Sequence, residues 1–302
     1  MPSSILAVGE VLFDHFPDGK RLGGAPCNFA IHARILGADA QILTRLGNDT
    51  EGSRIRGLLS TYAFDPTPIQ EDPQAPTGSV HIRFDECNEP TYEILPAAWD
   101  HIRLDSETES WLTDFSPEML CFGTLMQRTP QGAAIIDSLA KKVNDSCLLM
   151  CDLNLRKGNV VASRVTRSLE LCDILKINAD ELDFLADEYH VSGSIPQRLT
   201  TICRRFSIPY AALTLGKSGS KLLVGERLFS TPGISLDGPV NPVGAGDAFA
   251  AALAVGILRG EQPENILDAA GRLATEVCRI PGAVPQETAE SGNFTSAPGK
   301  EK

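Results

Sequence analysis

Near the carboxyl end the sequence reads NPVGAGDAFAAALAVGIL at residues 241–258, a turn-like segment that runs into an apolar, helix-like stretch. Small residues at the start of a helix let a ligand approach the backbone, and the unpaired N–H groups of the first turn attract anions. An anion site of this kind would stabilise charge that builds up on a transferring phosphoryl group. A carboxylate beside an anion site suits a group that removes a proton from an attacking hydroxyl, so Asp247 is the candidate general base.

The residue types of this segment also allow other interpretations. Asp247 has the alternative of simply stabilising the helix dipole from the first turn. The segment does not fit a dinucleotide-binding fingerprint, because Phe249 stands where the third glycine of G-x-G-x-x-G would fall. Residues 216–218, Gly-Lys-Ser, do not end a Walker loop, since Ala211 occupies the position of the required earlier glycine.

Upstream of this segment, short apolar runs alternate with helix-like stretches, which is typical of a parallel sheet wrapped by helices. The predicted strands are Ile5–Val8, Gln41–Leu43, Met119–Phe122, Leu148–Cys151, Asp173–Ile177 and Tyr210–Leu215, and helices are predicted to begin near Pro26, Thr129 and Pro196. We therefore predict an α/β fold with a doubly wound, mostly parallel sheet flanked by helices. Such sheets bind ligands beyond the carboxyl ends of their strands, so polar residues that follow a strand are candidates for the site.

One region follows a different pattern, which predicts a small β-sheet outside the main layer. Apolar and polar residues alternate from Val80 to Phe84, and the alternation resumes from Tyr92 to Ile94 after the turn-like residues 86–90. Residues 11–22 contain a Pro-Asp-Gly sequence at 17–19 that also predicts a turn. Together these segments are expected to form the small sheet.

The same patterns suggest how the chain is organised. We predict a single α/β domain over residues 1–302, in which residues 11–23 and 77–100 form a lid over the crevice. Residues 286–302 are polar and rich in Gly, Ser, Thr and Glu, which predicts a weakly ordered tail.

Composition argues against several classes of protein. Apolar residues make up 42% of the 302 residues and charged residues 22%, the balance of a globular chain. A net charge of -12 without a basic cluster makes nucleic acid an unexpected partner. The longest stretches without an acidic or basic residue, histidine included, have 11 residues, whereas a membrane-spanning helix needs ~20, and no export signal is recognisable. We expect a cytoplasmic protein that contacts no membrane and whose eight cysteines are free thiols.

Six short motifs occur in order along nearly the whole chain. They are GGAPCN at 23–28, GNDTEG at 47–52, DLNLR at 152–156, NADE at 178–181, TLGKSG at 214–219 and GAGDAF at 244–249. In this order and spacing they resemble the signatures of the ribokinase/PfkB carbohydrate kinase family. The resemblance implies a ribokinase-like α/β fold with a small β-sheet lid, and an ATP- and Mg²⁺-dependent sugar kinase.

Within this family the resemblance favours fructose, because Gly-Gly-Ala-Pro-x-Asn is the form that fructokinases use. Kinases for 2-keto-3-deoxygluconate, a phosphosugar or a nucleoside are the alternatives. A non-catalytic sugar-binding regulator on the same fold is a further alternative, against which the intact Asp247 motif argues. The expected partners are a small sugar and ATP, and the family implies a homodimer formed through the lid.

The resemblance also implies roles for individual residues, beginning with Asp247 as the general base and the amides of Gly244, Ala245 and Gly246 as the groups that stabilise the γ-phosphoryl group. The sugar side is expected to comprise Asp14, Gly23, Gly24, Asn28 and Arg156, the nucleotide side Asn178, Thr214, Gly216 and Gly219, and Glu181 is expected to act on Mg²⁺ through water. By residue type alone, Asp14 also suits a turn and Asn28 a helix cap. Arg156 also suits a surface ion pair, and Glu181 a solvated helix face.

Two features leave details of the site open. Residues Tyr92, Trp99 and Asp100 are expected either to contact the sugar or to pack within the hairpin. The residues before the last motif are Asn241-Pro242, whereas most of the family has Asp-Thr there. That carboxylate helps many members bind a monovalent cation, so potassium activation is doubtful for this chain. Asn-Pro also occurs in related tagatose-6-phosphate kinases, which keeps a phosphosugar among the candidate substrates.

Overall fold

The structure, a computed structural model, describes residues 2–16, 19–84, 90–156, 158–236 and 241–285. Parts of the two expected turns (17–18 and 86–89), the side chain of Tyr92 and the expected tail (286–302) lie outside the described residues.

The described residues form two sheets and a set of helices that cover the larger sheet. The strands are β1 (Ser4–Val8), β2 (Leu12–Phe16), β3 (Gly19–Gly23), β4 (Asp39–Gly47), β5 (Ile69–Asp72), β6 (Gly78–Phe84), β7 (Pro90–Ile94), β8 (Met119–Gly123), β9 (Leu148–Asp152), β10 (Ile174–Asn178), β11 (Tyr210–Thr214), β12 (Ser220–Val224) and β13 (Arg227–Thr231). The helices are α1 (Ala25–Ile35), α2 (Thr50–Thr61), α3 (Ser106–Phe115), α4 (Pro130–Lys142), α5 (Ala162–Leu171), α6 (Ala179–Glu188), α7 (Ile195–Phe206), α8 (Ala245–Leu258) and α9 (Pro263–Val277), with 3₁₀ turns at Ala98–His101, Leu125–Arg128 and Gly216–Ser218. Each of the six predicted strands overlaps an observed strand.

The larger sheet has the strand order β13-β12-β11-β10-β9-β8-β1-β4-β5. The pairings from β5 to β11 are parallel, and β12 and β13 extend the sheet with antiparallel pairings. The chain passes from β1 to β4 on one side and later returns to β8 on the other side of β1. The position between β1 and β8 is therefore a topological switch point, where open α/β sheets bind ligands outside the carboxyl ends of the strands.

Both faces of this sheet are covered, and β1 shows how the sequence achieves this. Ile5 and Ala7 pack into one apolar layer, which includes α1, α8 and α9. Leu6 and Val8 pack into the other layer, which includes α4 to α7. Because successive strand residues point to opposite faces, an unbroken apolar run is what a strand buried on both sides requires.

Helix α8 is enclosed by its neighbours. Residues 248–256 are all buried, and their mostly small side chains let α1 and α9 pack closely against the helix. This packing fixes the amino end of α8 at the carboxyl edge of the larger sheet. Although α8 is strongly apolar, no helix in the described part of the chain is long and apolar enough to cross a membrane.

The smaller sheet has the order β3-β2-β6-β7. Strands β2 and β6 are parallel, and the two outer pairings are antiparallel. Since β2 follows β1 through only residues 9–11, the small sheet begins at the carboxyl edge of the larger one. The expectation of a separate small sheet is confirmed.

A buried ion pair connects the small sheet to the rest of the molecule. Arg128 donates from Nε and Nη2 to the two carboxylate oxygens of Asp100, at 2.9 and 2.7 Å. It also donates to the carbonyl oxygens of Ile94 and Leu95, at the end of β7. The Arg128 guanidinium lies 4.2 Å from the ring centroid of Trp99, which is fully buried. Of the two roles expected for Trp99 and Asp100, these contacts correspond to packing: both side chains are buried against Arg128, which also binds the end of β7.

The motif at residues 47–52 forms a second connection. Asp49 caps α2, since its Oδ1 accepts from the Gly52 amide at 2.7 Å. The same carboxylate accepts from the backbone amide of Thr77 at 2.8 Å and from the Thr77 hydroxyl at 2.7 Å. Because Thr77 immediately precedes β6, Asp49 joins α2 to the start of β6 in the small sheet.

Candidate active site

The amino end of α8 meets α1 at the carboxyl edge of the larger sheet. Asp247 is the third residue of α8, and Asn28 is the fourth residue of α1. Packing of the two helices brings together side chains that are 219 positions apart in the sequence, and Asn28 Nδ2 donates to Asp247 Oδ2 at 2.8 Å. Two of the residues predicted from sequence are therefore in direct contact.

Asn28 also carries a spare hydrogen-bond acceptor. The residue is 4% exposed, and its Oδ1 has no hydrogen-bond donor among the described residues. Leaving a buried amide oxygen unpaired costs about 1–3 kcal/mol, which a bound hydroxyl group at this position would recover. Asn28 Oδ1 and the adjacent Asp247 carboxylate form a pair of acceptors suited to two neighbouring hydroxyl groups.

The surroundings of Asp247 make its carboxyl group more basic than usual. Loss of hydration raises the pKa of Asp247 to about 6, and the nearby Asp152 carboxylate acts in the same direction. The hydrogen bond from Asn28 and the positive charges of Lys176 and Arg156 oppose this rise. A carboxylate with such a pKa is mostly ionised at pH 7 and accepts a proton more readily than an exposed aspartate does.

The turn before α8 packs against a segment that follows α9. Gly244 has a φ of 81°, and a side chain at this position would collide with the backbone of Ala283. The carbonyl oxygen of Ala283 accepts a hydrogen bond from Nε2 of buried His32 at 2.8 Å. Burial lowers the pKa of His32, so its ring is neutral at physiological pH and donates this single N–H. Ala283 is thereby held between α1 and the turn.

The three amides of this turn differ in their hydrogen bonding. The Ala245 N–H donates to the carbonyl oxygen of Pro242 at 3.2 Å. Within the described ranges, the N–H groups of Gly244 and Gly246 have no acceptor outside the helix. These two donors, together with the positive end of the α8 dipole, can bind an anion.

Asp14, Gly23 and Gly24 come together where the small sheet joins α1. Asp14 lies on β2 opposite Arg21 on β3, and a side chain added at Gly23 on the same strand would collide with the Asp14 carboxylate. Gly24 has a φ of 102°, and a side chain there would collide with the carbonyl oxygen of Glu10. Burial raises the pKa of Asp14 to about 6, and the positive charge of Arg156 partly offsets this effect. Asp14 is therefore part of β2 rather than a turn residue.

Glu10 is a residue of this region that the sequence analysis did not select. It is 5% exposed; burial raises its pKa to about 7, Arg156 lowers it and Asp247 raises it further. Glu10 helps to line a cavity at the switch point between β1 and β8, together with Ala25, Pro26, Phe29, Cys121, Phe122, Gly123, Thr124, Leu125, Asp152 and Asn154. Because Glu10 is a polar residue shortly after a predicted strand, the rule applied to the other candidates would have identified it.

Arg156 is exposed on the loop that follows β9. Its positive charge acts on three carboxyl groups that belong to separate parts of the chain, namely those of Glu10, Asp14 and Asp247. The structure thus places Arg156 with the sugar-side candidates.

Lys176 is a second residue that the sequence analysis did not select. It lies within the apolar strand β10, is 6% exposed, and donates from Nζ to both carboxylate oxygens of Asp152 on β9, at 3.0 and 3.2 Å. A side chain added at Gly246 would come within 3.1 Å of the same Nζ. A lysine inside an apolar run is rarely buried without a partner, and this was the available signal.

Asn178 and Glu181 have a clear structural role at the start of α6. Asn178 Oδ1 accepts from the Glu181 amide at 2.9 Å, and Glu181 Oε2 accepts from the Asn178 amide at 2.8 Å. Glu181 Oε1 accepts from the Leu155 amide at 2.8 Å. Glu181 is 5% exposed, and burial raises its pKa. It is therefore a buried carboxylate that joins two motifs, not a residue on a solvated helix face.

The same carboxylate is compatible with an indirect contact to Mg²⁺. The described residues contain no group of three or more His, Cys, Asp or Glu side chains that could hold a metal ion. Mg²⁺ usually keeps several waters and binds through one or two carboxylates together with substrate phosphates. Each oxygen of Glu181 accepts one amide N–H and retains a lone pair for a water molecule, which fits such a role.

The remaining nucleotide-side candidates follow the neighbouring strand. Asn178 and Thr214 are register partners at the carboxyl ends of β10 and β11. Gly216 lies in the following 3₁₀ turn, and Gly219 ends that turn before β12 begins. These residues lie at the carboxyl edge of the larger sheet, where the neighbouring strand β9 also ends, with Asp152.

A comparison with protein families adds independent evidence. The family described as "pfkB family carbohydrate kinase" matches residues 15–289. This chain belongs to the pfkB family of carbohydrate kinases. The resemblance inferred from the six motifs is thereby confirmed.

Individual pfkB relatives match over almost the entire chain. A fructokinase of Klebsiella pneumoniae is 26% identical over 318 aligned positions, which cover 100% of this chain and 98% of that protein. The structure of PH1459, an uncharacterized sugar kinase from Pyrococcus horikoshii in complex with ATP, has 25% identity and a TM-score of 0.76, covering 92% of this chain and 93% of the other. A fructokinase from Vibrio cholerae O395 in fructose, ADP and calcium ion bound form has 25% identity and a TM-score of 0.76, covering 93% and 94%. These similarities confirm the ribokinase-like α/β fold.

Proposed function

We propose that this pfkB kinase transfers the γ-phosphoryl group of ATP to a hydroxyl group of a small sugar, and that its preferred sugar is fructose. The observation that carries the proposal is the buried hydrogen bond between Asn28 and Asp247 beside the glycine turn of α8. The region around the start of α8 therefore contains a free acceptor (Asn28 Oδ1), a basic carboxylate (Asp247) and two amide donors (Gly244 and Gly246). The fructokinases among the relatives support the choice of sugar.

In the proposed reaction, Asp247 removes the proton of the sugar hydroxyl while that oxygen attacks the γ-phosphorus of ATP. The bond between the γ-phosphorus and the β,γ-bridging oxygen breaks, and ADP leaves with the electron pair. The amides of Gly244 and Gly246, in the turn that Ala245 completes, stabilise the charge on the transferring group. The products are a sugar phosphate and ADP, and Asp247 then releases its proton to solvent.

The sugar is proposed to bind between the two sheets. The reacting hydroxyl donates to Asp247, and Asn28 Oδ1 and Asp14 accept from other hydroxyl groups of the sugar. Gly23 and Gly24 let the sugar approach the backbone, and Arg156 contacts it from the exposed side. The small sheet acts as a lid whose closure excludes water, so that phosphoryl transfer to water is suppressed.

The nucleotide is proposed to bind along the carboxyl ends of β10 and β11. Asn178, Thr214, Gly216 and Gly219 line that edge and contact ATP. Mg²⁺, when bound with ATP, neutralises charge on the phosphates. Glu181 orients a water molecule of that ion from its buried position.

The charges of the sugar side favour an uncharged sugar over a phosphosugar or a sugar acid. Among the described residues, the carboxyl groups of Glu10, Asp14 and Asp247 all interact with the positive charge of Arg156, and the nearby Lys176 is already paired with Asp152. A phosphate or carboxylate on the substrate would meet these carboxyl groups, which repel it where they are ionised. A ketose such as fructose has only hydroxyl groups to place there.

This proposal predicts the outcome of a substrate panel. With ATP and Mg²⁺, ADP release should be measured for fructose, ribose, inosine, 2-keto-3-deoxygluconate and fructose 6-phosphate. We expect the highest kcat/KM for fructose and the lowest values for the two anionic substrates. A preference for fructose 6-phosphate or 2-keto-3-deoxygluconate would refute the assignment of an uncharged sugar. Sugar binding without turnover of any substrate would instead favour the non-catalytic regulator.

A second prediction concerns monovalent cations. Asn241 has an amide in place of the carboxylate that supports cation binding in many relatives, and its Oδ1 accepts from the Val243 amide at 3.2 Å. We expect equal kcat/KM in potassium, sodium and tetramethylammonium chloride at matched ionic strength. The Asn241→Asp variant supplies the missing carboxylate as a comparison. Activation of the unaltered enzyme by potassium alone would contradict the prediction.

A further inference from the structure

Lys176 and Asp152 form a buried ion pair across the middle of the larger sheet. They are register partners on the parallel strands β10 and β9. Both are almost fully buried, at 6% and 7% exposure, and Nζ lies 3.0 and 3.2 Å from the two carboxylate oxygens. A buried pair of this kind requires well-placed partners for both charges, because both lose their hydration.

The pair lies directly beneath the turn that begins α8. An added side chain at Gly246 would come within 3.1 Å of Lys176 Nζ, so the ammonium group adjoins the residue before Asp247. Burial would favour the neutral amine, yet the charges of Asp152, Glu181 and Asp247 raise the pKa of Lys176 overall. Lys176 is therefore charged at neutral pH, and carboxylates from three different elements interact with it.

Among the described residues, the charged and titratable groups that interact with Asp247 come from several elements. They are Asp152 on β9, Lys176 on β10, Arg156 after β9, Glu10 after β1, the thiol of Cys27 on α1 and the thiol of Cys121 on β8. Burial raises the pKa of both thiols, so they remain neutral. Asp152 is the carboxylate with the largest effect on Asp247, and Lys176 is the cation bound to it.

We propose that Lys176 is a positioning residue that keeps Asp247 ionised by neutralising Asp152. Two carboxylates that share a low-dielectric site do not both ionise readily unless a cation compensates one of them. Lys176 supplies that cation from within the sheet and leaves the crevice free for the substrates. This inference rests on the proposed function, in which Asp247 acts as the base.

The test is the pH dependence of kcat/KM for three variants. Lys176→Met removes the charge and leaves Asp152 unpaired, so the acid limb should move up by about one pH unit or more. Activity should then fall about fivefold or more at pH 6 and largely recover by pH 9. Asp152→Asn should move the limb down. The double variant should return it towards that of the unaltered enzyme. Lys142→Met, which removes an exposed lysine paired with Glu109, is the matched control and should change nothing.

The alternatives give different results. Equal loss of activity at every pH in Lys176→Met, without rescue by Asp152→Asn, would show that Lys176 contacts a substrate and would overturn the proposal. An unchanged pH profile with only a lower Tm would overturn it as well. If Lys176→Met does not fold, the downward shift in Asp152→Asn and the retained profile of Lys176→Arg decide the question. Full activity of an Asp247→Asn variant would instead refute the proposed function itself.

Discussion

Replacing Asp247 by asparagine is expected to lower kcat by about 10²–10⁴-fold, the usual contribution of a positioned general base. The asparagine keeps an oxygen that can accept the hydrogen bond from Asn28 Nδ2, so the packing of α1 against α8 should persist. The amide group cannot take up the hydroxyl proton. The loss should therefore appear in kcat, with binding of fructose and ATP retained in calorimetry.

A matched control is available on the neighbouring helix. Asp268→Asn makes the same chemical change on α9, at an exposed residue that pairs with Arg272. This variant should keep full activity. An Asp247→Asn enzyme whose kcat lies within about tenfold of the unaltered enzyme would contradict the assignment of the base, since even a modest general base contributes more than that.

The pH dependence follows from the same group. Burial and the Asp152 carboxylate raise the pKa of Asp247 to about 6, and only the ionised form can accept a proton. Activity should be present above this value and fall as the pH drops through it. The acid limb of kcat/KM for the unaltered enzyme is therefore expected near pH 6, rather than near the value of an exposed aspartate.

Replacing Arg128 by methionine is expected to lower the free energy of unfolding by about 3–5 kcal/mol, the cost of breaking a buried ion pair from one side. The change leaves the Asp100 carboxylate, which is 4% exposed, without its partner. It also removes the donors to the carbonyl oxygens of Ile94 and Leu95 and the contact with Trp99. Urea denaturation monitored by circular dichroism would measure the loss.

The comparison variant is Arg167→Met, which breaks an ion pair at the surface. Arg167 and Asp137 lie 2.7 Å apart, but their side chains are 39% and 32% exposed. Exposed pairs contribute about 0–1 kcal/mol, so this variant should be nearly as stable as the unaltered protein. Equal losses in the two variants would show that the Asp100 pair does not anchor the small sheet.

Much of the fold was predictable because its signals are local. The apolar run of β1 and the alternation around β6 depend on neighbouring residues, and both predicted strands are present in the structure. The motifs likewise pointed to Asp247 and Asn28, since each lies near the start of a helix that small residues precede. Their mutual hydrogen bond was not predictable, because it depends on how α1 packs against α8.

Two residues near the site escaped prediction for a physical reason. In the sequence, Lys176 is a charged residue within the apolar run of β10. Its burial is explained by its ion pair with Asp152 on the neighbouring strand. Glu10 could have been selected as a polar residue shortly after a predicted strand, but its place in the cavity and its interaction with Asp247 are visible only in the folded chain. In both cases the informative contact joins segments that are distant in the sequence. The capping interactions of Glu181, in contrast, connect nearby residues and were open to prediction.

The contact between Ala283 and Gly244 limits how the protein can be altered at its carboxyl end. His32 holds the Ala283 carbonyl, and the backbone there fills the space behind the turn. An affinity tag or a fused reporter therefore belongs after Pro285, where it leaves this support intact. Shortening the chain to before Ala283 would instead remove the backing of the turn, and anion binding should weaken even though every residue that faces the crevice is still present.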